Sequence, residues 1–140
     1  MVLIMTQSYI NDVQRVLNQM DTSEYKFYLT GSRFFGGCQV NESDYDFFVE
    51  STPQIVVFLY NLGFKDITAS SMYKDSLIHV IMRHPTGIDV QVVNNIYLKI
   101  KAQALLKELG IFTWLTDKNY RRVLWDRAIT CISICPPLCS

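Results

Sequence analysis

The chain lacks several features that would assign it to a common class of protein. No apolar run approaches the ~20 residues that a membrane-spanning helix needs, and the first residues carry no basic stretch of the kind that opens a secretory signal. Basic and acidic residues are equal in number, at 13 each. That balance does not favour strong sequence-independent binding of nucleic acid. We therefore expect a cytoplasmic protein without a membrane partner.

Cysteine and histidine are too few or too poorly spaced for the usual metal and nucleophile motifs. The four cysteines are Cys38, Cys131, Cys135 and Cys139. Their spacing matches no zinc pattern of the C-x2-C type, so we interpret the last three as small buried hydrophobic residues. His79 and His84 have no nucleophile at a meaningful spacing. We expect both imidazoles to be hydrogen-bonded or solvent-facing.

The composition that is present predicts one globular domain over residues 1–140. Hydrophobic residues make up 49% of the chain and charged residues 19%, as in ordinary globular proteins. Residues 94–127 are locally basic, with seven Lys or Arg against three Asp or Glu. We interpret these charges as solvated helix faces. Contact with a polyanion, or with a protein partner through the C-terminal helices, is the alternative.

Hydrophobic periodicity predicts the element order α-β-β-α-β-β-β-α-α. Apolar residues recur at helical spacing over 6–20, and residues 26–30 alternate as a short strand that ends at Gly31. Further strands are predicted over 44–50, 65–73, 76–83 and 88–93, and helices after Thr52, Asn95 and Thr116. The fold class is therefore α/β (α+β), with a mixed sheet of about five strands and helices packed on one face.

Two acidic residues stand two positions apart in the second strand. Residues i and i+2 of a strand point to the same face, so Asp44 and Asp46 project together. Their charges repel unless a cation lies between them, and Mg²⁺ prefers such oxygen ligands together with substrate phosphates. Asp89 lies in the apolar strand 88–93 and would join them if that strand neighbours 44–50. This set predicts a site for two Mg²⁺ ions. Asp44 alone could merely open a strand after a turn.

The segment Gly31-Ser32-Arg33 precedes this acidic pair. Gly31 permits close approach of a ligand to the backbone, and Ser32 offers a hydroxyl and an N–H, which suits a phosphate. Arg33 adds a fixed positive charge able to meet phosphate oxygens. A plain turn that ends the strand is the alternative for Gly31-Ser32, and a pair with Glu42 or Glu50 is the alternative for Arg33.

The combination of Gly31-Ser32, eleven intervening residues and Asp44-Tyr45-Asp46-Phe47 resembles the signature of the polymerase-β-like nucleotidyltransferase superfamily. Its small members include the minimal nucleotidyltransferases of toxin–antitoxin pairs. The resemblance covers residues 26–93, and Asp89 is similar to the family's third carboxylate.

The resemblance implies an enzyme that transfers a nucleoside monophosphate from an NTP, such as ATP, to a hydroxyl acceptor and releases pyrophosphate. It implies that Asp44 and Asp46 bind metal and that Gly31 and Ser32 hold the β- and γ-phosphates. Asp89 would bind the catalytic ion and help to deprotonate the acceptor. The acceptor, whether a protein, an RNA end or a small molecule, is open. A second hypothesis is a non-catalytic binding module of the same fold, such as an antitoxin or a regulator of a host enzyme.

Overall fold

The computed structural model describes residues 7–36, 45–71 and 74–134, in which five helices and five strands follow one another. The helices are α1 (Gln7–Asp21), α2 (Ser32–Phe35), α3 (Ile55–Leu62), α4 (Ile96–Leu109) and α5 (Lys118–Ile134). The strands are β1 (Tyr28–Thr30), β2 (Tyr45–Glu50), β3 (Lys65–Asp66), β4 (Ile78–Arg83) and β5 (Ile88–Val93). The predicted order of elements is confirmed, with α2 and two 3-10 turns in addition.

The strands form one mixed sheet in the order β1-β2-β5-β4-β3. Strands β2 and β5 are parallel, and every other pair is antiparallel. The turn at Pro85-Thr86-Gly87 joins β4 to β5, with Gly87 at a φ of 91°, a value that glycine adopts without steric cost. The mixed sheet of five strands is confirmed.

Helix α4 begins directly after Asn95, as predicted, and ends at Gly110. The side chain of Asn95 accepts a hydrogen bond from the backbone N–H of Leu98 at 3.2 Å, which satisfies one of the N–H groups that a helix start leaves without a partner. Gly110 ends the helix in the left-handed region, at a φ of 70°. These two caps fix the position of the helix that covers the sheet beside the candidate site.

The predicted strand over 65–73 is much shorter in the structure. Within the described part of this stretch, residues 65–71, the residues that pair with β4 are Lys65 and Asp66, and a 3-10 turn follows at Thr68–Ser70. The Asp66 carboxylate accepts hydrogen bonds from both the backbone N–H and the hydroxyl of Thr68. These local bonds turn the backbone away from the sheet ladder.

The prediction of helices on one face is wrong, because both faces of the sheet are apolar. Helices α1 and α3 pack on the side to which Val49, Val90 and Val92 point. On the other side the first turn of α4 packs its Ile96 against Phe48 and Val93. Consecutive residues of β2 and β5 thus point to opposite faces and are buried on each, so each face is covered by helices.

Helix α5 packs on α4 rather than on the sheet. Trp125, Ala128 and Ile129 are its buried residues, in a cluster shared with α4 and Phe35. Cys131 is exposed, so the prediction that it is buried is wrong. The other three cysteines lie outside the described residues. Across the described ranges, no helix has both the length and the apolar character that crossing a membrane requires.

Candidate functional site

Four side chains form a row across the sheet, level with Thr30, the last residue of β1. Thr30 of β1 pairs with Asp46 of β2, Asp46 with Asp89 of β5, and Asp89 with Arg83 of β4. Residues paired in register point to the same face, and all four line one cavity. The structure thus brings together Asp46 and Asp89, as the sequence predicts.

Gly31 lies directly against Asp46. A Cβ added to Gly31 would lie 2.4 Å from Oδ2 of Asp46, far inside the contact distance of the two atoms. The φ of Gly31 is 70°, in the left-handed region that disfavours side chains. Both facts require glycine at this position. The close approach observed at Gly31 is to the Asp46 carboxylate, and the approach of a ligand to this backbone stays a prediction.

Ser32 and Arg33 begin the short helix α2 but point to different places. Ser32 lines the cavity, in keeping with its predicted role. The guanidinium of Arg33 lies 3.9 Å from the centre of the Tyr45 ring, and Tyr45 belongs to the opposite side of β2, among residues that pack with α1 and α3. Arg33 is not among the residues that line the cavity. The structure thus does not bring Arg33 into the cavity that Gly31 and Ser32 line, and its predicted contact with phosphate stays a prediction.

The Asp89 carboxylate is held by Arg83. Nε of Arg83 donates to Oδ1 and Nη2 donates to Oδ2, each at 2.7 Å. Such parallel charge-assisted bonds are the strongest arrangement of this ion pair. The Asp89 side chain is 16% exposed and that of Arg83 51%. The pair is thus shielded at the carboxylate and open to solvent at the guanidinium.

The cavity has a volume of about 620 Å³. Its floor is the sheet, and its other walls are α2, the turn after β3 and the start of α5. Besides the residues already named, it is lined by Phe35, Ile67, Ser70, Ser71, Ile81, Gln91, Thr116, Lys118, Arg121 and Trp125. Charged side chains of both signs therefore face one cavity.

Helix α5 contributes cationic residues that the sequence analysis assigned to a solvated helix face. Lys118 and Arg121 both line the cavity. Arg121 also donates to the carbonyl oxygens of Leu115 and Phe112, at 2.5 and 2.7 Å, which fastens α5 to the preceding turn. One helical turn separates the two residues, so their spacing in the sequence could have indicated a shared face.

Gln91 is a further residue that the sequence analysis missed. It follows Asp89 by two positions in β5 and lies on the same face, between Phe48 and Ile81 of the neighbouring strands. Its Oε1 is buried and accepts no hydrogen bond from the described residues. A buried oxygen without a donor is costly in the folded protein. The i, i+2 spacing from Asp89 was the signal that could have found it.

A buried ion pair supports the site from the side of α4. Nζ of Lys99 contacts Oδ2 of Asp75, and neither side chain has any exposed surface. Nζ also lies 3.9 Å from the centre of the Trp125 ring, which lines the cavity. Burial lowers the pKa of Lys99, and the Asp75 carboxylate opposes that shift. The pair fixes α4 to the segment before β4.

Two other polar groups behave as the sequence predicts. His79 is exposed, and the ring nitrogens of His84 contact the Thr86 hydroxyl and the Leu62 carbonyl oxygen. Burial lowers the pKa of His84, while the Leu62 carbonyl raises it. The expectation of hydrogen-bonded or solvent-facing imidazoles is confirmed for both residues.

The third predicted carboxylate, Asp44, lies outside the described residues. Within 7–36, 45–71 and 74–134, no group of three or more His, Cys, Asp or Glu side chains is placed to hold a metal ion. Asp46 and Asp89 still supply carboxylate oxygens to one cavity, the donor type that Mg²⁺ prefers. The donor type therefore suits this ion, although both oxygens of Asp89 accept hydrogen bonds from Arg83 in this structure.

Comparison of the chain with family models, with curated proteins and with solved structures gives no match.

Proposed function

We propose that this chain is a Mg²⁺-dependent nucleotidyltransferase, which moves a nucleoside monophosphate from an NTP to a hydroxyl acceptor. One observation carries the proposal: Asp46 and Asp89 stand in register on neighbouring strands, and Gly31 leaves room for the Asp46 carboxylate at the end of β1. Two acids side by side at a cavity need positive charge between or around them. A divalent cation with its polyphosphate ligand meets that need.

The polyphosphate is assigned to the side of the cavity formed by Gly31 and Ser32. Both residues line it, and the resemblance to the nucleotidyltransferase superfamily places the β- and γ-phosphates on this pair. Lys118 of α5 lines the same cavity and adds a positive charge able to balance phosphate oxygens. The phosphates would thus lie between α2 and α5, beside the carboxylates of Asp46 and Asp89.

Asp46 and Asp89 are the described residues that would hold Mg²⁺, with Asp44 as the third ligand that the resemblance implies. When bound, the ions polarise the α-phosphate and stabilise the charge on the leaving pyrophosphate. Asp89 would accept the proton from the attacking hydroxyl of the acceptor. Gln91, beside it on the same face of β5, offers its Oε1 to a hydrogen-bond donor of the substrate.

The test is the release of pyrophosphate from each of the four NTPs with and without Mg²⁺. Candidate acceptors are small hydroxyl compounds, RNA 3′ ends and proteins. Asp46→Asn keeps the shape of the side chain and removes its charge, and we expect it to abolish release. The matched control is Asp12→Asn, because Asp12 forms an exposed ion pair with Arg15 on α1, away from the cavity.

Equal release of pyrophosphate by wild type, Asp12→Asn and Asp46→Asn would show that the reaction does not need the Asp46 carboxylate. A wild-type protein that neither binds NTP with Mg²⁺ nor releases pyrophosphate with any of these acceptors would overturn the enzyme proposal.

A second candidate function is a non-catalytic binding module with this fold. The observation that favours it is the Arg83–Asp89 pair, since an arginine on both oxygens of Asp89 relieves the repulsion between Asp89 and Asp46 without a metal ion. Calorimetry distinguishes the two candidates. A module of this kind binds neither Mn²⁺ nor NTP, whereas the enzyme binds both.

A further inference from the structure

Arg83 engages both carboxylate oxygens of Asp89 in this structure. Both carboxylate oxygens accept from the guanidinium, and the two residues face each other across β4 and β5. A carboxylate that binds a divalent cation must direct at least one of these oxygens to the ion. Arg83 and the cation therefore compete for the same atoms.

Arg83 has a second possible ligand within the same cavity. It lines that cavity together with Gly31 and Ser32, and its side chain is half exposed, so it is not enclosed by the fold. Guanidinium groups bind phosphate oxygens with the same two-pronged geometry that they use for carboxylates. A polyphosphate could therefore replace Asp89 as the partner of Arg83.

We propose that Arg83 couples the binding of the divalent cation to the binding of the polyphosphate. This inference rests on the proposed function and assigns a regulatory role to a residue of that same site. The polyphosphate draws Arg83 away from Asp89, and the released carboxylate binds the cation. The cation in turn leaves Arg83 to the phosphates, because coupling between two ligands is reciprocal.

The coupling predicts effects opposite in sign to those of a purely structural pair. If Arg83 only held β4 against β5, its removal would loosen the site and weaken every ligand. If Arg83 competes with the cation, its removal strengthens binding of the cation alone. The two roles are thus separated by the direction of one change in affinity.

The first experiment measures Mn²⁺ binding in the absence of nucleotide, by electron paramagnetic resonance of the unbound ion. We expect Arg83→Gln to bind Mn²⁺ about 5- to 150-fold more tightly than wild type, the usual range of coupling between ligands. Arg83→Lys keeps the charge but loses the two-pronged contact, so its affinity should lie between the two. Circular dichroism and the melting temperature establish that both variants are folded.

The second experiment measures the affinity for α,β-methylene ATP in EDTA, so that no metal takes part. We expect Asp89→Asn to bind this analogue more tightly than wild type, because Arg83 is released to the phosphates. The gain should be lost in the double variant Arg83→Gln/Asp89→Asn. Asp46→Asn is the matched control. It removes a negative charge from the residue that pairs with Asp89 on the neighbouring strand, and it keeps the contact between Arg83 and Asp89.

The outcomes separate this inference from the proposed function. If wild type binds Mn²⁺ and the analogue but Arg83→Gln binds Mn²⁺ equally or more weakly, the coupling is wrong and the enzyme proposal stands. A gain for Asp89→Asn that persists without Arg83, or that Asp46→Asn matches, also overturns the coupling. If neither wild type nor any variant binds Mn²⁺ or the analogue, both proposals fail.

Discussion

Two pairs of an aspartate with a basic residue lie on the same side of the sheet, and their surroundings differ. The Lys99–Asp75 pair has no exposed side-chain surface and is covered by Phe48 and Trp125. The Arg83–Asp89 pair faces a cavity of about 620 Å³, and half of its arginine side chain is exposed. One pair is therefore sealed by the packing of α4 and α5, and the other is open to ligands.

The difference shows that a contact between an aspartate and a basic residue can have two roles in one fold. A sealed pair has lost its water on both sides, so each partner depends on the other for its charge to be tolerated. An open pair can exchange its partner for a ligand at little cost, because solvent and counter-ions replace the lost contact. The sealed pair thus belongs to the structure of the protein, and the open pair belongs to the candidate site.

Removal of Lys99 should have the largest effect on stability. Lys99→Met keeps much of the volume but leaves the Asp75 carboxylate buried, where it also accepts a hydrogen bond from the backbone N–H of Leu77. Breaking a buried pair in this way typically costs about 3–5 kcal/mol, and urea unfolding measures it. The double variant Lys99→Met/Asp75→Leu should recover most of the loss. A loss below about 1 kcal/mol in the single variant would show that the pair is not sealed.

The open pair could be partly predicted from the sequence, whereas the sealed pair could not. Asp89 stands out as a charge among β-forming residues, and strand alternation places it with Asp46 once β5 is known to neighbour β2. Lys99 and Asp75 lie in stretches with no such pattern. Their contact depends on the angle at which α4 crosses the sheet, which tertiary packing decides.

The placement of the helices could have been predicted from the sequence, whereas the position of Arg33 could not. Apolar residues on both faces of β2 and β5 could have shown that helices cover both sides of the sheet. The position of Arg33 could not be read in this way, because the stacking of its guanidinium on Tyr45 depends on the orientation of α2. Spacing in the sequence predicts which face of a helix or strand a residue occupies, but it does not predict which side chain of another element will contact that residue.

Substitution of Gly31 should have the next largest effect on stability. It tests the cavity that the Arg83–Asp89 pair faces. Gly31→Ala places a side chain at a φ of 70° and a Cβ against Asp46, and backbone strain alone costs about 1–3 kcal/mol. Gly36→Ala is the matched control, because Gly36 has a φ of 88° with nothing within 4 Å of the added Cβ.

Both glycine variants should therefore lose stability in urea. Only Gly31→Ala should also lose the affinity for α,β-methylene ATP, since only there must the Asp46 carboxylate move. Equal losses of affinity in the two variants would mean that the contact between Gly31 and Asp46 has no part in ligand binding.

Removal of Arg83 should have the smallest effect on stability, although Arg83 lines the candidate site. Arg83→Gln breaks a pair whose arginine side chain is 51% exposed and whose aspartate side chain is 16% exposed, so we expect a loss of about 1 kcal/mol, the upper end for solvent-exposed pairs. Urea unfolding in parallel with Lys99→Met gives the comparison directly, since each variant removes one cation from one aspartate. A loss near that of Lys99→Met would mean that the cavity does not admit enough water to replace the guanidinium. In that case Asp89 would be as sealed as Asp75, and Arg83 could not leave it for a ligand.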